Sequence, residues 1–91
     1  MPPKNRHPTT PGEMLLEEFL KPLGMSQVEL ASRMGVPVKR VNGLVNGRRA
    51  ITPATAILLA RVLKTSPQVW MHLQANHDLW MAERRMQKRS A

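Results

Sequence analysis

Lys39 and Asn42 lie one helical turn apart in MSQVELASRMGVPVKRVNGLVNGRR, the stretch from Met25 to Arg49. A lysine can donate to guanine O6 and N7, an asparagine amide can pair with adenine N6 and N7, and the nearby Val38 fits a thymine methyl. At helical pitch Val38, Lys39, Asn42, Gly43 and Asn46 share one face, while Val41, Leu44 and Val45 share the other. The spacing therefore predicts a helix that buries one face and offers base edges the other. Gly43 costs such a helix about 1 kcal/mol relative to alanine. It is explained either by close approach of the backbone to DNA or by tight packing on another helix. Gln27, Pro37, Arg40, Asn46, Arg48 and Arg49 flank these residues and are the candidate phosphate contacts. Arg40 has base reading as its second option, and a solvated turn is the plain alternative for Asn46, Arg48 and Arg49.

Two short helices joined by a turn must position this face. Ser26 and Glu29 have capping-box spacing, and Leu30, Ala31 and Met34 give the first helix its inner side. Gly35 supplies the positive φ of a sharp turn, Pro37 suits the start of the next helix, and Asn46-Gly47 closes it. Upstream, Thr10, Pro11 and Glu13 signal a helix start, and Leu15, Leu16, Phe19, Leu20 and Leu23 form one buried stripe up to Pro22 and Gly24. Downstream, Thr52-Pro53 opens a helix to about Lys64 that is apolar nearly all round, as expected at the centre of a bundle. Ser66-Pro67 opens a fifth. The expected class is all-α, a five-helix bundle with a helix-turn-helix.

Charge agrees with a polyanion partner. The formal net charge is +8, and no acid lies between Glu29 and Asp78, an interval holding Arg33, Lys39, Arg40, Arg48, Arg49, Arg61 and Lys64. The expected division is a flexible arm over 1–9, a DNA-binding domain with its C-terminal dimerisation helix over 10–83, and a basic tail over 84–91. Val69, Trp70, Leu73, His77 and Trp80 make a stripe on the fifth helix. It either caps its own core, as Trp70 at the helix start can do, or forms a two-fold interface around Trp80. A homodimer would set two recognition helices about 34–36 Å apart on a palindromic operator.

Enzyme chemistry is not expected. The chain has no cysteine and three histidines, and His72 and His77 point to different helix faces, so no metal site or cofactor is anticipated. The serines lack a base with an orienting partner. No apolar run reaches a membrane span, and MPPKNRHPTTP has no secretory apolar segment, so a cytoplasmic protein is the default.

Ser26-Gln27, Glu29-Leu30-Ala31, Gly35 and Asn46-Gly47 resemble the phage-repressor/Cro type of helix-turn-helix, and imply a lambda-repressor-like domain. Over residues 7–80 the chain resembles the HigA-type (VapI-type) antitoxin family, in HPTTPGEMLLEEFLKPLG, RVNGLVNGRRAIT and WMHLQANHDLW. His77 departs from the tyrosine often found there. The resemblance implies a dimeric antitoxin that binds its own operator and neutralises HigB, a ribosome-dependent mRNA-cleaving toxin. The one acidic cluster, Glu13, Glu17 and Glu18, is the candidate toxin contact, against the simpler role of acids at a helix N-terminus. Residues 1–9 are an alternative contact. The rival readings are a stand-alone transcriptional regulator and a protein-interaction module without DNA binding.

Overall fold

The computed structural model describes residues 7–90. Among them the chain forms five helices and no strand. The first, α1, runs through Pro11–Met14, a π-helical stretch Leu15–Leu20 and a last turn Lys21–Leu23. Then follow α2 (Gln27–Met34), α3 (Val38–Val45), α4 (Pro53–Leu63) and α5 (Pro67–Ser90).

Local chemistry sets these boundaries. Thr10 and Glu13 make a complete capping box, each side chain bonding the other's backbone N–H, at 3.1 and 3.2 Å. Ser26 caps Glu29 N–H at 3.0 Å, but the expected reciprocal bond is replaced by a Glu29–Arg33 ion pair of 2.7 Å. The arginine one turn on is the stronger partner for an exposed carboxylate. Pro22 brings no N–H for the carbonyl four residues back. The helix meets it with the wider π pitch, in which Lys21 N–H donates to Leu16 O. Gly24 and Gly35, at φ 62° and 72°, turn the chain out of α1 and α2. Lys64 does the same for α4 at φ 57° without being glycine.

The core collects one residue or more from every helix: Leu15, Leu30, Val41, Leu59 and Trp70 are the largest fully buried side chains. Burial of each such side chain favours folding by about 1.5–3 kcal/mol. The central helix α4 buries Ala56, Leu59, Ala60 and Leu63, but Ile57 and Arg61 are exposed, so it is covered on most sides rather than all. Gly12 is buried where α1 crosses the end of α3. A Cβ there would sit 2.5 Å from Val45 O and 2.6 Å from Leu44 O, so only glycine lets the helices meet this closely.

The last helix differs from expectation in length. Residues 84–90, read as a tail, continue α5, whose 24 residues span about 36 Å at 1.5 Å per residue. The flexible-arm reading of residues 1–6, and Ala91, lie outside the described residues. His7 is inside them and packs on α5, with ring centroids 5.1 Å from His77 and 4.5 Å from Trp80.

Candidate nucleic-acid interface

The helix-turn-helix is α2, the turn at Gly35–Pro37, and α3. Gly35 N–H donates to Ser32 O and Val36 N–H to Ala31 O, at 3.2 and 3.0 Å, which closes α2. Pro37 then takes extended backbone (ψ 145°) and launches α3. Val41 and Leu44 are buried, while Val38, Lys39 and Asn42 are exposed, so the expected division of faces holds for these residues.

Three amides join across this surface. Asn42 Nδ2 donates to Gln27 Oε1 at 3.2 Å, and Asn46 Nδ2 donates to Asn42 Oδ1 at 3.0 Å. An amide has two donors and two acceptor lone pairs. Asn42 therefore keeps one of each for a ligand while its neighbours hold its rotamer. Sequence position assigns Gln27 to phosphate alone, yet the fold places its Oε1 on Asn42. A phosphate contact by Gln27 is left to its side-chain N–H2 group and to the free backbone donors at the start of α2. Pro37 is exposed and has no N–H, so polar contact with an anion at this end of α3 falls to the backbone donors of Val38 and Lys39.

Gly43 is a correction. It is buried, and the Arg49 side chain lies over it: a Cβ would meet Arg49 Cγ and Cδ at 3.1 and 3.2 Å. Gly43 O also accepts from Arg48 N–H and Arg49 N–H, at 2.9 and 3.1 Å. Gly43 thus packs against the loop that follows its own helix, beneath an arginine side chain. Packing explains this glycine, with the partner a loop rather than the anticipated second helix. Arg48 and Arg49 are exposed side chains on that loop, with Arg40 half-buried beside a cleft that Arg49, Thr52 and Thr55 also line. The far end of the loop is held by a residue that sequence reasoning missed: Gln74 Oε1 accepts from Ile51 N–H at 2.8 Å. The sequence signals for it are its place in WMHLQANHDLW and the four-residue spacing to Asp78, which accepts from Gln74 Nε2 at 2.9 Å.

For Trp70 the structure takes the first of the two alternatives, the core of its own chain, and removes it from the interface stripe. It is 0 % exposed, packs against Phe19 with ring centroids 5.5 Å apart and a tilt of 48°, and donates from Nε1 to Thr65 Oγ1 at 2.8 Å. It fills its own core and has no surface to offer a second chain. Leu73 packs partly on the same core, Val69 is exposed, and His77 and Trp80 are half-buried beneath His7, with the Arg84 guanidinium 4.7 Å from the Trp80 ring centre. Of the acidic cluster, Glu13 serves the capping box and Glu17 pairs with Lys21 at 2.6 Å, while Glu18 is exposed. Among the described residues no helix is long and apolar enough to cross a membrane.

Comparison with known proteins agrees with this geometry. The helix-turn-helix family model matches residues 16–70. The uncharacterized HTH-type transcriptional regulator YbaQ of Escherichia coli K12 is 43 % identical over 81 residues, covering 89 % of this chain and 72 % of YbaQ. Antitoxin HigA-1 of Vibrio cholerae is 41 % identical over 83 residues, covering 91 % of this chain and 78 % of the antitoxin. The solved structure of Pseudomonas aeruginosa antitoxin HigA with the higBA promoter superposes with a TM-score of 0.85 at 38 % identity, over 90 % of this chain and 89 % of the other. By sequence, fold and the geometry of α2 and α3, this chain belongs to the HigA-type antitoxin family of helix-turn-helix proteins.

Proposed function

We propose that this protein is a non-enzymatic, sequence-specific DNA-binding antitoxin of the cytoplasm. It represses its own operon and neutralises, by direct binding, a ribosome-dependent mRNA-cleaving toxin of the HigB type. The observation that carries the DNA-binding part is the exposed amide chain Gln27–Asn42–Asn46 beside Lys39, on a recognition helix whose other face is sealed into the core. Val38, Lys39 and Asn42 read bases. Gln27, Arg40, Asn46, Arg48 and Arg49 hold phosphates. The P. aeruginosa relative solved with its promoter supports this reading.

Val69, Leu73, His77 and Trp80 on α5 form the homodimer contact, which pairs two recognition helices on a palindromic site. The acidic outer face of α1, centred on Glu18, meets the toxin. An RNA-cleaving protein needs a positive surface for its substrate, and an acidic face complements it. The test has two parts. A duplex from upstream of the protein's own gene should shift at protein concentrations that leave a scrambled duplex free. Co-expression with the neighbouring gene's product should relieve its growth arrest and yield a co-purifying complex. A second reading, a regulator without a toxin, is favoured by the relative named a transcriptional regulator. It predicts the promoter shift with no toxic neighbour.

A further inference from the structure

The link between α5 and the loop after the recognition helix is chemically directional. Gln74 is 9 % exposed, and its two hydrogen bonds demand the same amide orientation. Ile51 N–H can only donate, so it takes Oε1, at 2.8 Å. The Asp78 carboxylate can only accept, so it takes Nε2, at 2.9 Å. Asp78 is the one acid between Glu29 and Glu83, and this bond accounts for its presence in an otherwise basic stretch. The loop carrying Arg48 and Arg49 is thus fixed at two points: Gly43 O receives the N–H groups of both arginines, and Gln74 receives that of Ile51. Both arginines sit at the first anchor, and Ile51, two residues after Arg49, is the second.

We infer that Gln74, oriented by Asp78, is the positioning residue that sets the arginine loop for phosphate contact. This rests on the DNA-binding reading above. Without the Gln74 acceptor, Ile51 N–H becomes a buried donor with no partner, a costly state that the loop relieves by opening to water. Arg48 and Arg49 then lose the geometry in which they reach the DNA backbone together. Gln74 itself touches no nucleic acid in this scheme, and its effect passes through α5 to the loop.

The test uses the full chain, a fluorescent duplex from its own promoter, and binding measured across a salt series. Gln74→Leu and Gln74→Glu should stay helical by circular dichroism, bind more weakly, and show a shallower salt slope. The decrease should be about one to two, at about 0.9 for each phosphate that is no longer neutralised. Ile51 amide exchange in the free protein should speed up in Gln74→Leu, which has no acceptor. In Gln74→Glu an acceptor remains, but repulsion from Asp78 four residues on pushes it off Ile51 N–H, so exchange should rise by less. Gln74→Glu combined with Asp78→Asn reverses donor and acceptor: the new carboxylate accepts from Ile51 N–H and from the new amide. That double variant should regain both slope and amide protection. A folded Gln74→Leu protein with the wild-type salt slope overturns the positioning role, even if Ile51 exchange speeds up. A double variant no better than Gln74→Glu alone overturns the orienting role of Asp78. If the wild-type protein binds no promoter duplex at any salt, the DNA-binding reading fails and the positioning role falls with it. Wild-type binding with unchanged variant slopes removes the positioning role alone.

Discussion

Lys39 and Asn42 are both exposed on α3 but differ in how free they are. Asn42 is held by Gln27 on one side and Asn46 on the other, whereas no such brace is seen at Lys39. A braced amide meets adenine with little rotamer entropy left to lose, and a long lysine must be ordered on binding. Replacing either with alanine should cost about 1–3 kcal/mol on the operator and relax choice at one base pair. Gln27→Ala should carry part of the Asn42 penalty, because it releases the brace. Arg48→Ala should instead weaken operator and random DNA alike and lower the salt slope by about one. Fluorescence anisotropy on both duplexes at several salt concentrations separates these outcomes. Equal losses on both duplexes for Lys39→Ala would remove it from base reading.

Among the elements, α1 decides where α3 sits. The contact is made by Gly12 against the carbonyls of Leu44 and Val45, at distances no side chain permits. Gly12→Ala should therefore cost about 1–3 kcal/mol, the usual range for overpacking, measured by urea denaturation. It should also weaken operator binding, since the helix must shift to make room. Gly35→Ala meets nothing within 4 Å, and its cost comes from φ 72° instead, about 1–2 kcal/mol. The turn and the crossing thus fail for different reasons. Equal stability of Gly12→Ala and the parent chain would mean that α1 and α3 can separate at no cost.

Across the whole molecule, α5 extends a body of 46 × 23 × 20 Å along one axis. Leu79, Met81 and Met86 on it are exposed, and Trp80 is covered on one side by His7 and Arg84. Ending the chain after Asp78 keeps the Gln74 partner and the Trp70 core while removing Trp80 and the basic turns beyond it. This truncated chain should remain folded and sediment as a monomer with much weaker operator binding. Sedimentation as a dimer would place the two-fold contact elsewhere. For the toxin face, a Glu17→Lys, Glu18→Lys double variant should lose toxin binding in calorimetry and keep operator binding. Glu17 is partly neutralised by Lys21, so the larger share of the loss should fall on Glu18, checked with the single variants.

The five helices, their starts at Thr10, Ser26, Thr52 and Ser66, and the division of α3 into a buried and an exposed face were legible from the sequence alone. These features depend on neighbours within a turn or two: a capping hydroxyl, a proline that has no N–H to lose at a helix start, an apolar residue every three or four positions. What the tertiary structure decided were contacts between residues far apart in the chain. Helical pitch puts Gly43 on the DNA face, but the returning Arg49 side chain covers it. Trp70 belongs to a stripe by spacing, yet the approach of Phe19 and Thr65 makes it core. Glu29 has capping-box spacing, and Arg33 draws its carboxylate away. The Gln74–Ile51 bond joins residues 23 positions apart. Periodicity assigns a residue to a face of its own helix, but which faces become interior depends on how the helices meet, and that is fixed by packing.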